Sequence, residues 1–437
     1  MFEKAAHYKV WRIAGPMILS NLTVPLLGIV DTAVVGHLEK PFHMGAVAIG
    51  AAIFGVVFWG FGFLRMGTTG ITAQIFGEKD NNELRATLVR ALIVAVALSF
   101  VLIVFQMPIG WTAFQVVQGS ELVEQYGRLY FDIRIWSAPA TLMNYALLGW
   151  FLGMQNARAP LIILVFVNLI DMCLDLLFVM GWNFGADGVA WASLIAEYLG
   201  LVLAFWLVKR ELRKYPGSLS RLTLFSKSKI QRLLAVNRDI FIRNLCLMFT
   251  LAFFAAQGAR FGDVVLAANA ILFNMYTLMA YGLDGFAHTA EALVGKAVGG
   301  KNRSDYFQSI RVCGQWALLV SLLFSGVYFL AGPQIIALMT DIASVRESAL
   351  VYLPWLVLLP VISVWSFVLD GIYVGATGAA EMRNTMIFST FFIFLPVWYL
   401  LLPLHNHGLW LALVLFIIAR ALSMLLLFQR MTLRIGI

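Results

Sequence analysis

The stretch Ala91–Ile109, ALIVAVALSFVLIVFQMPI, runs nineteen residues without a charged side chain. A helix rises about 1.5 Å per residue and the hydrocarbon core of a bilayer is about 30 Å thick, so a charge-free segment of this length is sized to cross it. Outward from it the pattern repeats, and Leu161–Val167 opens another such block. Hydrophobic residues make up 61% of the 437 positions and charged residues 12%. A soluble domain carries about 25% charged residues, and half that cannot cover a water-facing surface. A β-barrel would show alternating polarity in segments of about ten residues, and no such alternation is present. The blocks predict spans at 10–36, 44–76, 88–110, 124–153, 160–181, 188–209, 233–260, 265–297, 306–331, 345–376, 384–402 and 408–430. The chain is therefore read as an all-α, multi-pass integral membrane protein of about twelve transmembrane helices.

Lys4, Lys9 and Arg12 precede the first apolar stretch, which is too long for a signal sequence and carries no small-residue cleavage pattern, so it reads as a retained helix. Cys173, Cys246 and Cys313 fall within spans and read as small buried filler, with neither a disulfide framework nor metal-ligand spacing. With twelve spans both termini share a side. If that side is cytoplasmic, twenty-three Lys and Arg lie inside and five outside (Lys40, Arg128, Arg134, Arg260 and Arg346), with Arg65, Arg243 and Arg420 left in spans. The positive-inside rule thus sets both termini in the cytoplasm. The excess positive charge marks that face and not a nucleic-acid partner.

The longest polar stretch, Arg210–Lys229, splits six spans from six. The halves resemble each other. QIFGEKDN from Gln74 lines up with KAVGGKNR from Lys296 at an offset of 222, Gly149 and Gly153 line up with Gly371 and Gly375 at the same offset, and GVAWA from Gly188 lines up with GLWLA from Gly408 at 220. Each half has an even number of spans, so both keep one orientation. That predicts two pseudo-symmetric six-helix lobes in a parallel repeat, residues 1–215 and 233–437 about a cytoplasmic linker at 216–232, as in secondary transporters. No phosphate-binding loop is present, so the energy comes from an ion gradient or from an ATPase on another chain. No H-E-x-x-H, nucleophile elbow or His cluster suggests an enzyme, and no catalytic residue or cofactor is assigned.

Acids inside spans are costly and point to function. Asp31, Asp171, Asp175, Glu197, Asp284, Glu291 and Asp370 qualify. Asp171 and Asp175 are four apart, with Asn168 on the same stripe, so they share one helix face. Two carboxylates so close in a low-dielectric setting share one proton readily. Ser193 on the next span can join them. In the second half Asp284 and Glu291 share a face with His288 between them, a candidate proton relay. Asp370 is the leading second-half candidate, with Arg243 a plausible counter-ion that would make both structural. Glu197 is set against Arg65 or another stray charge. Pro16 and Pro25 lie within the first span, where each removes a backbone hydrogen bond and permits a bend.

Five stretches carry a resemblance: WRIAGPMILSNLTVPLLGIVDTAVVGHL from Trp11, TTGITAQIFGEKD from Thr68, LLGWFLGMQNARAPLI from Leu147, LDLLFVMG from Leu174 and LDGIYVGATGAAEMRN from Leu369. Across essentially its whole length the chain resembles the MATE multidrug and toxic-compound extrusion transporters, in their DinF-like branch. The resemblance implies export of amphipathic, usually cationic compounds by antiport with protons or sodium. It places Asp31 and Asp175 on the family's first- and fifth-helix aspartates. Asp171 stands where many relatives have asparagine, Ser193 where they often have threonine, and Pro16 on the family's first-helix proline. The acidic seventh-helix residue of some sodium-driven relatives is not evident, with Gln257 the nearest polar group, which favours protons over sodium.

The combined expectation is a monomeric proton-coupled exporter of small lipophilic cations in the inner (plasma) membrane. Its substrate is held against Asp31, Asp171 and Asp175, with membrane lipids as its surroundings. The rivals are sodium coupling and a flippase of lipid-linked oligosaccharides. A flippase needs basic groups for a diphosphate, against which stand seven acids and three stray arginines.

Overall fold

The computed structural model describes residues 2–36, 40–117 and 119–437, and within these it leaves out the side chains of residues 2, 3, 26, 29, 31, 32 and 35. Every regular element among the described residues is helical. The first six spans are formed by α1 (Phe2–Gly36), α2 (Pro41–Gly60) with α3 (Phe63–Glu78), α4 (Asn81–Val104) with α5 (Gln106–Val116), α6 (Glu121–Arg134) with α7 (Ala138–Gly153), α8 (Arg158–Asp175) and α9 (Ala186–Leu212). A short helix, α10 (Arg221–Leu224), lies in the connection. The last six spans are α11 (Lys227–Ala259), α12 (Asp263–Gly299), α13 (Arg303–Met339), α14 (Ala343–Gly375), α15 (Ala379–Phe388) with α16 (Leu395–Leu400), and α17 (His405–Arg434). Nine helical runs among the described residues are long and apolar enough, on composition alone, to cross a membrane. Exposed side chains such as Phe100, Val202, Phe329 and Leu426 suit a surface solvated by lipid.

Two compact units divide the chain, Leu19–Leu233 (the N-terminal unit) and Met1–Ile18 with Leu234–Ile437 (the C-terminal unit). This grouping differs from the lobes drawn on the sequence, which put residues 1–18 in the first half. The reason is aromatic packing. Trp11 meets Phe286 and Trp316 edge-on at ring-centroid distances of 5.7 and 5.1 Å, and Trp316 Nε1 donates to His7 Nδ1 at 2.9 Å. The boundary falls inside α1, which runs on as helix past both Pro16 and Pro25.

The connection read as a polar linker belongs to the N-terminal unit. Arg85 donates to the carbonyls of Leu212 and Tyr215 at 2.8 and 2.9 Å, and Arg90 to those of Thr223 and Leu224 at 3.0 Å each. Buried Glu83 accepts from Arg90 at 2.8 Å and pairs with Lys229 at 2.7 Å. Irregular backbone needs such donors to hold it in place.

The repeat is visible atom by atom. A methyl group on Gly149 would come 2.4 Å from the carbonyl oxygen of Arg65, and one on Gly371 would come 2.2 Å from that of Ala287. On Gly153 it would meet the Thr69 carbonyl at 2.8 Å and the Ala73 nitrogen at 2.9 Å, and on Gly375 the Glu291 carbonyl at 2.7 Å and the Gly295 nitrogen at 2.9 Å. Each partner lies 222 residues from its counterpart. Small residues let helices approach backbone to backbone, which is how helices associate where lipid removes the hydrophobic driving force. The ends of the helices repeat as well. Lys79 and Lys301, Gln155 and Thr377, and Asn183 and His405 all have positive φ, between 49° and 62°, again in pairs 222 apart. Asp80 caps α4 by accepting from Glu83 N at 3.0 Å, and Asn302 caps α13 by accepting from Asp305 N at 3.0 Å.

Candidate functional site

In the N-terminal unit, α8 presents one buried polar stripe. Asn168, Asp171 and Asp175 are 8%, 4% and 0% exposed, while Leu169, Leu176 and Met180 face outward. The i, i+3/i+4 spacing produces this segregation, since residues at that spacing share a helix face. Cys173, two residues from each aspartate, falls on the other side and is exposed, contrary to the buried filler role read from its span; Cys246 and Cys313 are buried.

Neighbouring helices complete the stripe. Ser193 of α9 donates to Asp171 Oδ2 at 3.2 Å, so the sequence-predicted serine does meet its aspartate. Asn168 Nδ2 donates at 2.7 Å to Thr23 Oγ1 of α1, a contact the sequence reading missed. Thr23 lies two residues before Pro25, on the helix that carries Asp31; the Asp31 side chain lies outside the described residues. Directly after Asp175 the helix widens into a π-helical turn, Leu176–Gly181. Such turns interrupt the regular hydrogen-bond ladder and cluster at functional sites. A second one, Ser389–Phe394, occupies the eleventh span.

Of the two readings offered for Glu197 of α9, Arg65 or another stray charge, it is another charge that it meets. It accepts from Asn144 Nδ2 at 3.0 Å and lies 3.9 Å from Arg134, which had been counted with the outer residues. Arg134 also lies over the rings of Phe54 and Phe58, at 5.9 and 5.5 Å from their centroids. The guanidinium reaches inward along apolar surface, which a count of loop charges does not register.

The C-terminal unit treats its acids differently. Asp370 of α14 is buried between two arginines, and its Oδ2 accepts from both Arg243 of α11 and Arg420 of α17. Arg243 also donates to Asn244 Oδ1 at 2.9 Å. Asp370, set out on the sequence as the leading second-half candidate, is thus an ion-paired anchor joining three helices. Arg243 is the counter-ion foreseen, and Arg420, 50 residues along the chain, is the one missed. A buried carboxylate needs compensation, and planar guanidinium groups supply it best. His288 Nδ1 lies 3.4 Å from Glu291 Oε1, both buried in α12, so two of the three grouped residues do meet. Asp284, one turn earlier, is partly buried. A further knot joins Asn269 and Asn406, which exchange hydrogen bonds of 2.8 and 3.0 Å while Trp410 Nε1 donates to Asn269 at 2.9 Å. No sequence spacing signalled it, because Asn269 lies on α12 and its partners Asn406 and Trp410 on α17.

The family model described as MatE matches residues 16–177 and again 240–400, once in each half. The chain is 43% identical over 430 residues to DNA damage-inducible protein F of Escherichia coli K12, covering 98% of this chain and 93% of that protein. It is 23% identical to a probable multidrug resistance protein NorM of Listeria innocua, over 91% of this chain and 86% of the relative. Among solved structures it is similar to the Vibrio cholerae MATE transporter VcmN, with a TM-score of 0.86 at 17% identity over 99% of this chain and 98% of that one. It is similar too to a MOP superfamily transporter from Pyrococcus furiosus, with a TM-score of 0.84 at 20% identity over 98% and 96%. The twelve-span helical fold, its duplicated helix contacts and the two matches of the family model together make this chain a member of the MatE family of membrane transporters.

Proposed function

We propose that the protein exports small lipophilic cations across the inner membrane in exchange for protons, acting as a monomer with both termini in the cytoplasm. The observation that carries this reading is the buried stripe Asn168–Asp171–Asp175 on α8, joined by Ser193 from α9 and tied through Asn168 to α1. Carboxylates held away from water interact strongly with any cation that reaches them. They accept a proton or an organic cation, and each occupant weakens the hold on the other. Asp31, on the same helix as Thr23, is the remaining member of the proposed coupling set. A proton arriving from outside neutralises the acids, releases the substrate outward, and leaves on the inner side. The prolines of α1, Pro16 above all, are the proposed bending points. Asp370, paired with two arginines, is left out of the proposed coupling set, and His288 with Glu291 is given a supporting role in the C-terminal unit.

Purified protein in liposomes, given a fluorescent lipophilic cation and an imposed proton gradient with and without sodium, tests the reading. Wild type should concentrate the dye with protons alone, and Asp31→Asn and Asp175→Asn should each abolish that movement. Dye movement that needs sodium removes the proton assignment. Dye movement that survives Asp175→Asn removes the site.

A further inference from the structure

In the N-terminal unit, α6, the turn after it and the first half of α9 form an open cavity of about 420 Å³. Asp132, Ile133, Trp136, Trp191, Leu194 and Tyr198 line it. Trp136, Trp191 and Tyr198 are 51%, 44% and 38% exposed, so three rings stand open around one acid. Tyr198 is fixed in place, its hydroxyl donating to the Trp136 carbonyl at 2.9 Å. Among the described residues no ion pair or side-chain hydrogen bond reaches the Asp132 carboxylate. Arg128, one turn earlier on the same helix, lies over the Phe114 ring at 4.8 Å from its centroid. Arg134, two residues later, is held against Glu197 and the Phe54 and Phe58 rings.

A carboxylate on a membrane-facing surface is unfavourable without a counter-charge. Aromatic faces attract cations, and rings arranged around an acid are the usual way of recognising an alkylammonium group. We propose that this cavity is a second cation site, distinct from the α8 stripe, which binds the head of a cationic amphiphile whose tail lies along Ile133 and Leu194 in the lipid. A zwitterionic lipid headgroup does not fit this description. Its phosphate would be brought towards Asp132, and no basic side chain lines the cavity to receive it. On the orientation proposed above, the site faces the outer leaflet, where exported amphiphiles are delivered. The class of ligand rests on the cation-exporter reading; the existence of the site rests on the cavity itself.

The test uses full-length protein in phosphatidylglycerol nanodiscs with an alkyl-trimethylammonium probe carrying a photoreactive diazirine. Irradiation followed by peptide mapping should label the segments holding Trp136 and Trp191. An excess of unlabelled alkyl-trimethylammonium should suppress the labelling. It should fall roughly tenfold in Asp132→Asn and in Trp191→Leu, the change expected for losing the charge or the principal ring. Both variants are surface substitutions, and unchanged elution on size exclusion confirms that they fold. Labelling that is equal in wild type and Asp132→Asn, or that is suppressed by phosphatidylcholine as well as by the cation, overturns the proposal. Asp175→Asn should keep the labelling while losing dye export. If wild type is labelled here but exports no cation, the export reading fails and the site stands. If export is normal but labelling ignores Asp132, the site alone fails.

Discussion

The two units use one backbone plan and surround their candidate acids differently. Gly149 against Arg65 and Gly371 against Ala287 are the same helix contact 222 residues apart, and the positive-φ residues at the helix ends fall in the same register. Yet the buried acid of α14 is gripped by two arginines, while the acids of α8 sit in a stripe whose described partners are a serine hydroxyl and, for Asn168, a threonine. Geometry has been conserved between the halves and charge has not. Helix approach is decided by small residues at a few positions, and those tolerate little change. A buried charge can be neutralised in any way that satisfies it, so the two halves are free to differ. The C-terminal half thereby acquires an ion-paired anchor at Asp370, and the N-terminal half a buried polar stripe on α8.

The largest expected effect comes from breaking the anchor. Removing both guanidinium groups in Arg243→Met with Arg420→Met leaves Asp370 buried and uncompensated, which costs about 3–5 kcal/mol. Adding Asp370→Leu should recover most of this, since replacing a whole buried ion cluster by apolar groups is often near neutral. Thermal unfolding of the detergent-solubilised protein compares the two. If the double variant is as stable as wild type, Asp370 is not an anchor and the contrast between the units collapses.

Asp175→Asn should do the reverse, leaving the unfolding temperature within a few degrees of wild type and lowering proton-driven dye export at least tenfold, equivalent to about 1.4 kcal/mol. A loss of stability without a loss of export would make the α8 stripe structural, like the Asp370 cluster.

The shared scaffold should respond alike in both halves. Gly149→Ala and Gly371→Ala each force a backbone shift, an overpacking effect of about 1–3 kcal/mol. Unfolding of the two variants in parallel checks the repeat, and a large effect in one with none in the other breaks it. The smallest matched pair is at the helix caps. Asp80→Ala and Asn302→Ala each remove one side-chain acceptor and should cost about 1 kcal/mol. Urea titration of the two against wild type should give similar changes.

Much of the fold is legible in the residues because the membrane leaves few choices. A helix in lipid satisfies its own backbone, so runs such as Ala91–Ile109 declare spans almost directly. The duplication could be read at Gly149/Gly371 and Gln74/Lys296, because backbone approach and helix ends admit few residue types. The α8 stripe could be read too, since Asn168, Asp171 and Asp175 lie on one helix whose period is known. Its link to Thr23 could not, because nothing local records which helix packs beside which. The same limit hid Arg420 from Asp370 and Asn406 from Asn269.

The sequence by itself determined the helical membrane class, the six-plus-six division, the repeat and the family, along with the identity of the acids in question. Each of these depends on local composition, or on spacing along one helix, where cause and effect lie within a few residues. Only the tertiary structure decided which side chains several of these acids meet. It showed that Asp370 is held by Arg243 and Arg420 and that Glu197 turns to Arg134 and Asn144. It also placed residues 1–18 with the C-terminal half through Trp11, and fastened the connection at 213–226 to α4. The physical reason is that an ion pair or an aromatic contact in a bundle is set by distances of a few ångströms between residues far apart in the chain. Those distances come from the packing of all the helices at once, and no single stretch of sequence holds them.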